Sequence, residues 1–201
     1  MLLAAVAEVR ETLGFDDMTD INAAITGALD AAEHYLAGVL GTPFDRVTTS
    51  DLFWVERPGF RQQAHVQTEF RLKRGLIDIN DFTTAQSPLP TLAGSIALTD
   101  IALHAPKGLV TDYRTAFDHA YVRFTYTAGF PVDADNPLSY DLATVPRWLQ
   151  SAAKTHALIT LETHPSLVEA GVKQDTTALK MALGGMLRPY IRYTPAALLP
   201  I

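Results

Sequence analysis

The sequence predicts an α+β fold: a helical framework drawn from both chain ends, with a central antiparallel β-rich insertion, a small sandwich or barrel, between them. Three observations predict it. Residues 20–40 place apolar side chains at helical spacing, as one buried face requires. From Arg46 to Thr127 the pattern changes to short alternating runs broken by Pro and Gly, the signature of strands and turns. Behind Val145-Pro146 the helical spacing returns, so the β segment is enclosed in sequence by helices. The expected division is 1–45 for the N-terminal helices, 46–137 for the insertion, 138–190 for the C-terminal helices and 191–201 for an extended tail.

Leu2–Leu13 reads as a first helix stopped by Gly14. Thr19 or Asp20 can cap the second by accepting a hydrogen bond from a free N–H of its first turn. Ile21, Ile25, Ala28/Leu29, Ala32, Tyr35/Leu36 and Val39/Leu40 form its stripe, with Ile25, Leu29 and Leu36 as core positions. Gly41 with Pro43 beyond it ends the helix. Alanine at 23, 24, 28, 31, 32 and 37 leaves several faces thin enough for close helix approach, within a bundle or between subunits.

Candidate strands follow at Leu52–Val55, Val66–Leu72, Leu76–Ile79, Ser95–Leu103, Leu109–Tyr113 and Ala120–Thr127. Pro58-Gly59, Arg74-Gly75, Pro88 with Pro90, and Pro106-Lys107-Gly108 supply the turns. The last strand carries Tyr126 as a core residue and is broken by Gly129, itself expected in the core, and by Pro131. Asp133–Leu142 is a polar, proline-containing loop. Pro146 suits a first helical turn, where its missing N–H is of no consequence. Trp148, Leu149, Ala152, Ala153, His156 and Ala157 then make one buried face, with Trp148 and Leu149 as anchors. His164-Pro165 interrupts the helix, and Asp175 caps a final one through Leu179, Met181, Leu183 and Met186.

At 201 residues the chain makes one large domain or two small ones. Lys+Arg 16 against Asp+Glu 22 gives a net charge of −6, the wrong sign for gripping nucleic acid. Zero cysteines exclude disulfides, thiolate metal sites and a cysteine nucleophile. No run reaches the ~18 to 20 apolar residues of a membrane helix. Met1–Ala7 lacks the basic start of a signal peptide, and Glu8 and Arg10 follow it. A soluble intracellular protein without membrane contact is expected.

No histidine pair has helical zinc spacing, and no Gly-x-Ser-x-Gly elbow accompanies the acid–histidine pair Asp118-His119. Asp16-Asp17 with Asp20 lacks calcium-loop spacing and reads as charge favourable to a helix N-terminus. His156 reads as a core histidine bonded to a carbonyl, or as a subunit-contact residue. Gly184-Gly185 lacks the Lys-Ser/Thr of a phosphate loop. No catalytic, metal or cofactor site is expected, and the protein is read as no enzyme. The C-terminal end differs: Arg188, Tyr190, Arg192 and Tyr193 are of the types enriched in interface hot spots, and Leu198, Leu199 and Ile201 follow in an apolar, proline-containing tail. Left free, such a tail is an exposed hydrophobic patch; it either folds back on its own core or docks on a partner.

The strand ending Tyr126-Thr-Ala-Gly-Phe130-Pro, the helix opened by Val145-Pro146, the alanine-rich helix from Asp20 to Leu36 and the final helix leading into Met186-Leu-Arg-Pro-Tyr190 together resemble the head–tail connector (adaptor) proteins of tailed bacteriophages. The resemblance covers both ends and the last strand, and leaves Val47–Leu92 unmatched. It implies a structural virion protein of the neck, assembled in the host cytoplasm. Copies would form a twelvefold ring that docks on the portal, extends the DNA channel and meets a tail-side stopper or tail-terminator protein. The C-terminal segment would reach the portal. Twelve copies at −6 each carry about −72, and acidic residues facing the channel would repel DNA passing through it without binding it. Another neck or tail-completion component is the alternative within phage, and a small hydrolase or carbohydrate-binding domain on the β middle is the alternative from another class.

Overall fold

The computed structural model describes residues 1–15, 21–55, 68–87, 91, 101–112, 120–169 and 175–191. The chain is mixed α and β and divides into two compact units, one containing Met1–Leu40 with Phe130–Ile191, the other containing Gly41–Gly129. The Thr19/Asp20 cap, the acidic cluster before it, Asp118-His119 and the tail from Arg192 lie outside the described residues, as do most of the expected strand from Ser95 and the turns at Pro58-Gly59 and Pro88.

The first unit is helical, with α1 (Val6–Thr12), α2 (Asn22–Leu40), α3 (Arg147–Leu161), α4 (Pro165–Glu169) and α5 (Thr176–Leu187). Helix α1 begins later than expected, because Leu2 is engaged in extended pairing with the Leu138–Tyr140 segment. Leu2 N–H donates to the Leu138 carbonyl at 2.9 Å, and Tyr140 N–H to the Leu2 carbonyl at 3.1 Å. Leu2, Leu3 and Ala4 are buried there. Helix α2 buries Ile25, Ala28, Leu29, Ala32, Leu36 and Leu40, one continuous face. Tyr35 departs from the expected stripe; it is 45% exposed and stacks its ring on His156 of α3, centroids 4.4 Å apart. Pro146 is the N-cap of α3, whose buried face is Leu149, Ala152, Ala153, Ala157, Leu158 and Leu161. The alanines of α2 and α3 let the two backbones pack closely. Gln150 Nε2 donates to the carbonyls of Leu142 and Val145, both at 2.8 Å, and so fixes the entry to α3. The Asp175 carboxylate caps α5 by accepting from Ala178 N–H at 3.0 Å.

The second unit has β1 (Val47–Val55), β2 (Thr68–Arg71), β3 (Thr83–Ser87), β4 (Ile101–His104), β5 (Leu109–Asp112) and β6 (Ala120–Ala128). They form two open antiparallel sheets, β1-β6-β3 and β2-β5-β4. Of the two architectures expected, the sheets make the sandwich and do not close into a barrel. Phe53 (β1), Phe70 (β2) and Phe124 (β6) join them edge-to-face, with ring centroids 5.1 to 5.7 Å apart. All three are fully buried, each stabilising by about 1.5–3 kcal/mol, and truncation of Phe124 to alanine should cost about 3–5 kcal/mol.

The expected strand Leu76–Ile79 is not one. Ile77 makes an isolated bridge with Ala128, and Ile79–Asp81 is a short 3-10 turn. The strand in this region is β3, Thr83-Thr-Ala-Gln-Ser87, which carries no large apolar residue because β6 supplies the core beside it. The chain leaves the unit through Gly129, whose φ of +86 only glycine adopts without strain. A Cβ there would collide with the backbone carbonyls of Phe44 and Asp45.

Candidate functional site

Seven residues of the C-terminal end carry the expected docking chemistry, and the described residues include two. Arg188 and Tyr190 lie in a short 3-10 turn (Arg188–Tyr190) that continues α5. Arg188 is exposed. Tyr190 stacks on Trp148 of α3 with ring centroids 3.7 Å apart and planes 9° from parallel. The tyrosine therefore holds the end of α5 against the helical unit rather than standing free. Arg192, Tyr193, Leu198, Leu199 and Ile201 lie outside the described residues.

Among the positions expected in the core, Ile25, Leu29, Leu36, Tyr126 and Leu149 are fully buried, and Trp148 is half-buried beneath Tyr190. His156 stacks on Tyr35, and burial pushes its pKa below 6.5. Thr160 Oγ1 lies 3.4 Å from His156 Nδ1, one turn on.

Helices α2 and α5 each turn a thin face outward. On α2 the exposed positions are Ala23, Gly27, Asp30, Ala31, His34, Tyr35 and Gly38; on α5 they include Ala178, Lys180, Met181, Ala182, Gly184 and Gly185. Met181 is 75% exposed. Around Gly27, Gly38, Gly184 and Gly185 no side chain or neighbouring segment among the described residues lies within 4 Å of where a Cβ would stand. Packing among the described residues therefore does not require glycine at any of the four.

Asp30, Glu33 and His34 bring their ligand-type atoms within 4.8 Å of one another, the one grouping of this kind among the described residues. Its acids already have partners. The Met1 ammonium lies 3.2 Å from Asp30 Oδ1 and from Glu33 Oε2, and Tyr140 donates its hydroxyl to Glu33 Oε1 at 2.9 Å. His34 Nδ1 lies 2.9 Å from the Asp30 carbonyl. That bond, with the Glu33 and Asp30 carboxylates, raises the pKa of His34. The trio is a surface ion-pair network.

The sequence reading missed a buried acid in the β unit. Asp51 of β1 is fully buried, and its Oδ2 accepts the Tyr126 hydroxyl at 2.7 Å. The signal was available: Phe53 and Val55 face the core, so a period of two carried one residue pair further back puts Asp51 inward as well. Starting the strand at Leu52 concealed it. No helix among the described residues is long and apolar enough to cross a membrane.

No family model matches the sequence, and no curated protein matches it. Among solved structures, the chain is similar to one from the neck of an empty gene transfer agent particle, computed with C6 symmetry. That pair is 14% identical, with a TM-score of 0.45, covering 96% of this chain and 91% of the other. It is also similar to a chain from the virion of a native gene transfer agent particle, at 18% identity and a TM-score of 0.46, covering 96% of this chain and 90% of the other.

Proposed function

We propose that this chain is a head–tail connector: a non-enzymatic structural protein whose copies form a ring in the neck of a phage-like virion, between portal and tail. The reading starts from the adaptor-like motifs and from the helices of both chain ends, which gather into one unit while the β unit is inserted between them in sequence. The observation that carries it is the pair of thin outward faces on α2 and α5. A helix-interior glycine costs about 1 kcal/mol relative to alanine, and nothing among the described residues packs where a Cβ would stand at 27, 38, 184 or 185. Glycines at exposed helical positions fit close approach of a helix from another copy. Lys180 flanks the α5 face and Arg188 ends it, whereas on α2 the charges of Asp30 and His34 are engaged with each other and with the Met1 ammonium. A contact of one face with the other is heterologous, the kind that generates rings when the rotation closes.

In this reading Arg188, Arg192, Tyr193, Leu198, Leu199 and Ile201 dock on the portal, and Tyr190, stacked on Trp148, anchors the base of that segment. The ring, of twelve copies, meets a tail-side stopper or terminator and passes DNA without holding it. Mass photometry of the purified protein, with and without the portal, tests the assignment. Gly27→Leu and Gly185→Leu should leave a folded monomer of equal or higher melting temperature and suppress ring formation. Deletion beyond Tyr193 should spare the ring and abolish its attachment to the portal. A wild-type protein that stays monomeric with and without portal, or rings indifferent to both leucines, would refute it.

A further inference from the structure

We propose that Leu72–Asp78 is a clasp, keyed by the buried Asp51 carboxylate, that locks together the points where the chain enters and leaves the β unit and makes that unit open as one. The segment is neither helix nor strand, yet each of its seven consecutive backbone N–H groups has a named acceptor. Leu72 donates to the Gly108 carbonyl at 2.9 Å, Leu76 to Pro106 at 3.2 Å, Ile77 to Ala105 at 3.2 Å and Asp78 to Thr127 at 2.8 Å. Lys73 donates to Asp51 Oδ2 at 2.6 Å, Arg74 to the Tyr126 hydroxyl at 3.2 Å and Gly75 to Thr42 Oγ1 at 3.0 Å. Irregular backbone so fully satisfied by separate parts of the chain is held in place by all of them at once.

Two sets of these contacts reach the ends of the unit. At the entry, besides Thr42, the Arg74 guanidinium takes the Asp45 carbonyl at 3.0 Å and both its carboxylate oxygens at 3.2 and 3.3 Å. Arg46 donates to Asp78 Oδ2 at 3.3 Å. At the exit, Gly129 N–H donates to the Leu76 carbonyl at 3.1 Å, beside the Asp78–Thr127 bond. Leu76 itself has a φ of +54, a conformation that a leucine holds only when its surroundings over-determine it.

Asp51 is the key because two donors converge on one of its oxygens. Oδ2 receives Lys73 N–H and the Tyr126 hydroxyl, and that same hydroxyl accepts Arg74 N–H. Oδ1 accepts no hydrogen bond among the described residues and lies 3.8 Å from the Lys73 ammonium. Removing the carboxylate takes the shared acceptor from both donors, whereas an asparagine can place its single carbonyl oxygen at the Oδ2 position and serve both.

Hydrogen exchange on the full-length protein, followed by mass spectrometry, tests this. Asp51→Leu should speed exchange about 10- to 100-fold, together, in peptides spanning 72–78, 42–46 and 127–129. Amides of α2 and α3 should stay within about two-fold of wild type, and Asp51→Asn should restore most of the protection. If Asp51→Leu does not fold, Tyr126→Phe, which keeps the buried ring and removes only the hydroxyl, is read in the same way. Loosening confined to 72–78, equal loosening of the helices, or no change in exchange would each overturn the clasp.

Discussion

Substituting Gly129 by alanine probes a close backbone approach where the chain leaves the β unit. Two penalties act there. At a φ of +86 a residue with a Cβ is strained by about 1–2 kcal/mol. The new methyl also meets the carbonyl groups of Phe44 and Asp45, which are backbone atoms and cannot swing aside. Phe44 is 1% exposed, and the Asp45 carbonyl already accepts from Arg74 at 3.0 Å, so a shift of that strand disturbs both. Overpacking of this kind costs about 1–3 kcal/mol. The total is about 2–5 kcal/mol. Gly41→Ala is the control, since its φ is +63 but nothing lies within 4 Å of its Cβ position; it should cost the strain alone, about 1–2 kcal/mol. The chain has two tryptophans, and Trp54 lies in β1. A urea titration followed by Trp54 emission in a Trp148→Phe background therefore reports the β unit. A Gly129→Ala loss within about 0.5 kcal/mol of the Gly41→Ala loss would show that the collision is not there and that the exit strand does not run against Phe44–Asp45.

Three further outcomes are expected. Burial holds the pKa of His156 below 6.5, so the unfolded chain binds a proton that the folded chain resists; the stabilisation is present above pH 6.5 and is lost as pH falls from there toward the folded value. Denaturation followed by Trp148 emission in a Trp54→Phe background at about pH 8 and about pH 5.5 should show that loss, and His156→Gln should reduce it; an identical pH dependence in the variant would contradict the buried stack. Asp175→Ala removes the α5 cap and should cost about 1 kcal/mol, seen as faster exchange of the Ala178 amide and its neighbours with α3 unaffected. Tyr190→Ala uncovers Trp148 and should shift its emission to the red with a loss of about 0.5–1.5 kcal/mol beyond the buried area; unmoved emission means that the two rings are not stacked in solution.

The helices were readable because their periodicity is written in the residues that pack. Ile25, Leu29 and Leu36, and Leu149 with Ala152 and Ala153, repeat at helical spacing and are all buried. Asp175 was readable as a cap for a local reason: its carboxylate binds an amide three residues away. The β unit was less so, since a strand's identity depends on what lies beside it. Thr83–Ser87 looks like a polar loop until β6 brings Val122 and Phe124 alongside, and Leu76–Ile79 looks like a strand although its amides are spent on carbonyls elsewhere. The first residues illustrate the same limit: Leu2 to Ala4 have helical composition, but pairing with Leu138–Tyr140 holds Leu2 extended.

Apolar pattern and polar chemistry mislead a sequence reading in different ways. An apolar stripe announces burial without naming its partner: the half-buried Trp148 reads as a core anchor and the 45% exposed Tyr35 as part of a stripe, whereas each is one half of a ring stack. A charged residue announces solvent, and Asp51 was passed over although the strand's own alternation turns it inward. The interior accepts that carboxylate only because Tyr126 and the Lys73 amide reach it, 75 and 22 residues away along the chain. Such a cluster is invisible to local pattern and depends on the whole unit being closed. It follows that Asp51 and Tyr126 should respond to mutation as a pair. The double variant Asp51→Leu/Tyr126→Phe should lose less than the sum of the two single losses, because the second substitution removes one of the donors from which the first takes the shared acceptor. Additive losses in a denaturant titration would mean that the two residues stabilise the unit independently, and that the hydroxyl–carboxylate bond is incidental to its closure.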